Sequence, residues 1–118
     1  MDYLMTSQEI TEMIPSIQYE LKDSKVQNSY NVIQTFTNHI KNMIRQNDRN
    51  ILFECIKKMN YIYTNGDKML KDAIEGTFIY SIDNYTLFCN EEYKKKIFSH
   101  ISNELQKIHS RQIYSPSI

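Results

Sequence analysis

DRNILFECIKKMNYIYTNGDKMLKDAIEGTFIYSID, residues 48–83, is the stretch whose reading decides the fold of this chain. Leu52, Cys55, Ile56, Met59, Ile62 and Tyr63 recur three and four positions apart, the spacing of one helical face. Leu70, Ala73, Ile74, Thr77, Phe78 and Ile82 repeat that pattern beyond Asn65-Gly66-Asp67. The interruption has the chemistry of a helix end followed by a helix start. Gly66 is expected to hold the left-handed conformation that closes the first helix, and the Asp67 carboxylate to cap the second. The stretch therefore predicts two helices folded back on each other, with the remaining helices laid around this hairpin.

Working toward the amino terminus, Thr6-Ser7-Gln8-Glu9 reads as a capping box, with a helix starting near Ser7. Its apolar face runs through Ile10, Ile14, Ile17 and Leu21, and Pro15 breaks it by removing a donor and clashing one turn back. Both pieces are expected to pack on one neighbour because the stripe continues across the proline. Ser24 to Gln27 forms a second capping box, and the helix after it reaches about Gln46, with the stripe Val26, Tyr30, Ile33, Phe36, Ile40, Met43 and Ile44. His39 lies at the edge of that stripe. Asn47-Asp48 closes this helix and caps the next, and so short a join makes the two helices antiparallel neighbours.

Working toward the carboxyl terminus, Gly76 with Ala73 and Thr77 forms a small-residue strip that suits close packing of another backbone. Residues 77–89, TFIYSIDNYTLFC, are rich in aromatic and β-branched residues and have Asp83-Asn84 at their centre, which suits a short hairpin. Their first half continues the helical stripe, however, and a lone two-stranded hairpin is marginal. Helix through about Asp83 is the expectation. Asn90 caps a last helix with Glu91 and Glu92 at its positive end and Tyr93, Ile97, Ile101, Leu105 and Ile108 along one face. Residues 111–118, RQIYSPSI, are expected to fray. The whole is one domain, residues 1–118: an all-α bundle of about five helices around the central hairpin.

Composition narrows the chemistry. Only 2 glycines and 2 prolines among 118 residues argue against a many-stranded β fold and against the glycine-rich loops of nucleotide-binding and nucleophile-elbow enzymes. Cys55 and Cys89 are isolated and read as structural thiols. His100 and His109 fall on opposite sides of a helix, and no E-x-x-H or H-E-x-x-H pair occurs, so no metal site or cofactor is implied. Glu9 and Glu12 stand in the first turn of a terminal helix, where the helix dipole accounts for them. No catalytic residue is assigned, and the chain reads as a non-enzyme. The acidic, amphipathic start is not a signal peptide, and no apolar run reaches membrane-spanning length, which points to the cytoplasm.

Charge is balanced overall, 14 cations to 14 carboxylates, but unevenly placed. Residues 1–23 carry Asp2, Glu9, Glu12, Glu20 and Asp23 against Lys22 alone, while Lys41, Arg45, Arg49, Lys57 and Lys58 follow. Two surface features are candidates for binding a partner. One is the acidic group Glu9, Glu12, Glu20 and Asp23. The other is Phe53, Lys57 and Tyr61, spaced four apart on the third helix away from its main stripe.

The hairpin also carries a resemblance. Tyr63, Gly66 and Asp67 at the turn, then Ala73, Ile74 and Phe78, resemble the central signature of small all-helical bacterial domains of unknown function, and Pro15 after an amphipathic helix is similar too. The resemblance spans about residues 6–90 and departs at Gly76, where a larger apolar residue would be expected. Some members of such families look like immunity proteins, which bind and neutralise a cognate toxin. It implies a non-enzymatic protein-binding domain that occludes its partner, with no catalytic residue to carry over. The alternative is a nucleic-acid-associated or regulatory domain using Lys41, Arg45, Arg49, Lys57 and Lys58, which a net charge of zero disfavours.

Overall fold

The computed structural model describes residues 1–22 and 27–113 in full, with the backbone alone of Asp23 and Tyr114. The described residues form eight α-helical segments and one π-helical segment, and none is in a strand. The elements are α1 (Tyr3–Met13), α2 (Ile17–Asp23), α3 (Ser29–Arg45), α4 (Leu52–Asn65), α5 (Lys68–Ile74), a π segment (Glu75–Ile79), α6 (Tyr80–Tyr85), α7 (Glu91–His100) and α8 (Asn103–Tyr114). The chain is all-α, as expected, with more and shorter helices than the five anticipated.

The hairpin is present, with α4 packed on α5, and all twelve residues of its two stripes are buried. α3 lies against both of its helices and also meets α1, α2, the π segment and α6, so α3 rather than the hairpin alone is the central element. Asp67 caps α5 through a 3.0 Å bond from the Leu70 amide. Gly66, however, is extended (φ −76°, ψ 160°) rather than left-handed. The left-handed C′ residue is Asn47 instead (φ 54°). There the amides of Asn47 and Asp48 bond back to the carbonyls of Ile44 and Met43, the paired closure of a Schellman motif on α3. Asp48 does not cap α4; its carboxylate accepts from the Asn50 amide within the turn.

The amino-terminal cap is also displaced from its expected place. Asp2, not Thr6, caps α1 by accepting from the Met5 amide at 2.9 Å, and buried Thr6 donates to the Asp2 carbonyl. α1 ends at Met13, Pro15 turns the chain, and Ile10, Ile14, Ile17 and Leu21 are buried on both sides of the break. Residues 24–26, including most of the second expected capping box, lie outside the described residues. Asn28 caps α3, and Tyr30, expected on the buried stripe, is 55% exposed.

Residues 77–85 are helical, so the hairpin at Asp83-Asn84 does not form. Gly76 lies in the π segment with nothing within 4 Å of where its Cβ would be, so no backbone approaches it. Asn90 caps the next helix as expected (2.7 Å from the Tyr93 amide). That helix is two helices, parted at Ile101-Ser102, although Tyr93, Ile97, Ile101, Leu105 and Ile108 are all buried. Asn60 of α4 holds the break open by donating to the His100 carbonyl (2.8 Å) and accepting from the Ser102 amide (3.1 Å). Residues 111–114, expected to fray, continue α8, where Gln112 donates to the Glu75 carbonyl at 2.9 Å. No helix among the described residues is long and apolar enough to cross a membrane.

Candidate functional site

The turn between α6 and α7 builds the most distinctive surface of the molecule. Buried Thr86 ties this turn to α6, its amide and hydroxyl both bonding the Ile82 carbonyl. The Cys89 amide then bonds back to the Thr86 carbonyl, a tight reversal that leaves the two residues between them no core to enter. Leu87 is 66% exposed and Phe88 96%. Such apolar exposure at the tip of a well-bonded turn marks an interaction surface more often than an isolated surface leucine does.

Beside this turn a groove of about 600 Å³ opens toward the end of α3. Ile44, Arg45, Asn47 and Arg49 form one wall, and Tyr85, Phe88, Cys89 and Tyr93 much of the other. Tyr85 is fixed at the base by a 2.9 Å bond from its hydroxyl to the Phe78 carbonyl, and burial drives its phenol well above the ordinary range. The Arg49 guanidinium lies over the Tyr93 ring, 4.0 Å from its centre, while Arg49 Nε donates to Asn47 Oδ1 at 3.0 Å. Such a stacked cation contributes roughly 0.5–2 kcal/mol.

Tyr93 is 6% exposed, and its buried hydroxyl has no hydrogen-bond partner among the described residues. Burial raises its pKa, and neighbouring Arg49 offsets part of that rise, yet the face-on contact gives the hydroxyl no acceptor. A buried polar group left this way costs about 1–3 kcal/mol. Cys89 is partly exposed, and burial raises its thiol pKa against the pull of Lys94 and Arg49. Cys55 is fully buried, with its pKa pushed up to about 12 by burial first and Glu54 second, as a structural thiol should be.

A family described as a domain of unknown function, DUF7674, matches residues 7–115. The chain belongs to that family. No curated protein and no solved structure matches it.

In this DUF7674 domain the residues singled out from the sequence are dispersed. Glu9 of α1 pairs with Lys58 of α4 at 3.0 Å, and Glu20 of α2 pairs with His39 of α3. Glu12 is exposed on a polar cleft between α1 and α2, and at Asp23 only the backbone is described. Phe53 is half-buried and stacked on His100, ring centres 4.3 Å apart, with Lys96 Nζ 5.2 Å over it. Lys57 and Tyr61 are exposed, and Lys58 Nζ lies 5.0 Å over the Tyr61 ring. No group of three or more His, Cys, Asp or Glu side chains that could hold a metal ion occurs among the described residues.

The groove was not anticipated from the sequence. One signal for it was available: Leu87 and Phe88 follow Ile82 out of register with the buried stripe. Arg49, Tyr85 and Tyr93 carry no such signal, because their meeting depends on how α3, α6 and α7 are arranged.

Proposed function

We propose that this chain is a non-enzymatic protein-binding domain that works by occluding its partner, and that Leu87 and Phe88 anchor the contact. The observation that carries this reading is an aromatic side chain 96% exposed on a turn held by backbone bonds from the amides of Thr86, Leu87 and Cys89, beside a groove with two arginines. Aromatic and arginine side chains together are the usual energetic centre of a protein interface. Neutralisation of a toxin in a bacterial cytoplasm is the form of binding that the resemblance of the helical hairpin supports. The acidic group around Glu12 would then assist encounter rather than anchor the contact.

The nucleic-acid reading has less support. Of its five cations Lys58 is paired with Glu9 and Lys41 lies 5.9 Å over the Tyr85 ring, which leaves Arg45, Arg49 and Lys57 exposed. A phosphate-tracking face needs cations free to neutralise successive phosphates.

Capture of binding partners from the source cells by the wild-type domain and by the double variant Leu87→Ser, Phe88→Ser tests the proposal. The expected result is one protein retained by the wild type and lost by the variant, with unchanged circular dichroism. Retention of the same partner by both, or retention of nucleic acid alone, overturns it.

A further inference from the structure

The Tyr93 hydroxyl has no acceptor among the described residues. Its residue is 6% exposed, and phenylalanine would fill the same space. Thr37 also has an unpaired hydroxyl, but in the core, whereas Tyr93 lines a groove into which an acceptor can come from outside. The groove around it narrows the chemistry of that acceptor. Arg45 and Arg49 both line it, and no Asp or Glu does. Arg49 donates Nε to Asn47 and faces Tyr93 with its guanidinium, and it pairs with no carboxylate among the described residues. A planar guanidinium beside a phenolic donor fits a carboxylate, which accepts from both at once. The guanidinium covers the Tyr93 ring from an exposed position, so an arriving carboxylate can draw it aside.

We infer that the groove is a carboxylate receptor for an acidic segment of a partner protein. An Asp or Glu side chain of that segment would accept from Arg49 and the Tyr93 hydroxyl while an adjacent apolar residue lies on Tyr85 and Phe88. A protein segment is favoured over a free small acid because the apolar surface continues past the groove onto Leu87 and Phe88, 66% and 96% exposed, beyond the span of a small ligand. The inference rests on the protein-binding reading above and adds the partner's chemistry to it.

Three blocked hexapeptides, alternating leucine with glutamate, glutamine or lysine, test it by titration into the isotope-labelled domain, with sodium acetate as a fourth probe. The glutamate peptide is expected to shift the amides of residues 47–49 and 88–93, the glutamine peptide to bind at least fivefold more weakly, and the lysine peptide and acetate to leave them unmoved. Tyr93→Phe should weaken the glutamate peptide about five- to tenfold while its melting temperature stays the same or rises. Arg49→Gln should weaken it at least as much. Equal binding of the glutamate and glutamine peptides overturns the inference, as does no binding of either. So does a lower melting temperature for Tyr93→Phe with unchanged binding, which would place the acceptor inside the fold. Shifts as large with acetate as with the peptide would make the ligand a small acid and overturn the protein segment. Because Phe88-dependent capture of a protein is measured separately, failure here leaves the protein-binding reading standing or falling on its own result.

Discussion

A methyl group added at Gly66 would lie 2.5 Å from the Ile62 carbonyl oxygen and 3.0 Å from Leu70 Cβ. The dihedral angles there suit any residue, so the requirement for glycine is space and not handedness. The nearest atom belongs to the backbone of α4, which cannot swing away as a side-chain tip does. Gly66→Ala should therefore destabilise by about 1–3 kcal/mol, as overpacking does. Gly76→Ala should do the opposite, because its Cβ would meet nothing and its helical backbone would lose less entropy on folding. A gain of about 0.5–1 kcal/mol is expected there. Denaturant melts of the two variants check both signs, and a stable Gly66→Ala would mean that the turn relaxes freely. The sequence suggests handedness at Gly66 and close packing at Gly76; the structure shows close packing at Gly66 and open space at Gly76.

At the scale of elements, the break between α7 and α8 is held locally, by the Ser102 hydroxyl accepting from the Leu105 amide and Gln106 donating to the Phe98 and Ile101 carbonyls. It is also held by a residue far away in the chain. The apolar stripe from Tyr93 to Ile108 is continuous and contains no proline or glycine, so helical periodicity alone predicts one rod. Asn60 supplies the acceptor and donor that the interrupted backbone needs at Ser102 and His100. Asn60→Ala would leave both groups without a protein partner and should lower stability by about 1–3 kcal/mol. Asn60→Asp keeps the acceptor for the Ser102 amide and loses the donor, so an intermediate loss is expected. Hydrogen exchange should speed most at residues 100–106. Uniform exchange across both variants would show that the break is held by something other than Asn60.

For the molecule as a whole, burial sets its response to alkali. The Cys55 thiol and the Tyr63 phenol, from ordinary values of 9.0 and 10.0, are both pushed up to about 12, by burial first, with a hydrogen bond to Glu75 adding to the rise at Tyr63. The unfolded chain releases these protons near the ordinary values while the folded chain keeps them. Between about pH 9 and 12 the unfolded state therefore binds fewer protons, and stability must fall as pH rises. Urea midpoints measured from pH 8 to 11 should decline, and Cys55→Ala should flatten the early part of the decline. A midpoint that holds level to pH 11 would contradict this. Charge at this scale is drawn inward as well: Glu9 and Glu20 of the acidic amino-terminal region pair with α4 and α3, joining the first two helices to the core.

Local patterning determined the helical class, the two stripes of the hairpin, the break at Pro15 and the caps at Asp67 and Asn90. Each depends on residues within a few positions of one another, where spacing and side-chain chemistry suffice. The left-handed closure at Asn47 and the crowding at Gly66 involve residues within five positions as well. Tertiary structure alone decided the bonds of Asn60 to the α7–α8 break and the ion pairs of Glu9 and Glu20. The groove belongs to the same group: Arg49 and Tyr93 are 44 positions apart, and Phe88 is left outside because the turn that carries it is tied down by Thr86. Contacts between residues so far apart in the chain exist only once helices have packed, and packing is settled by the shapes of all the buried side chains together.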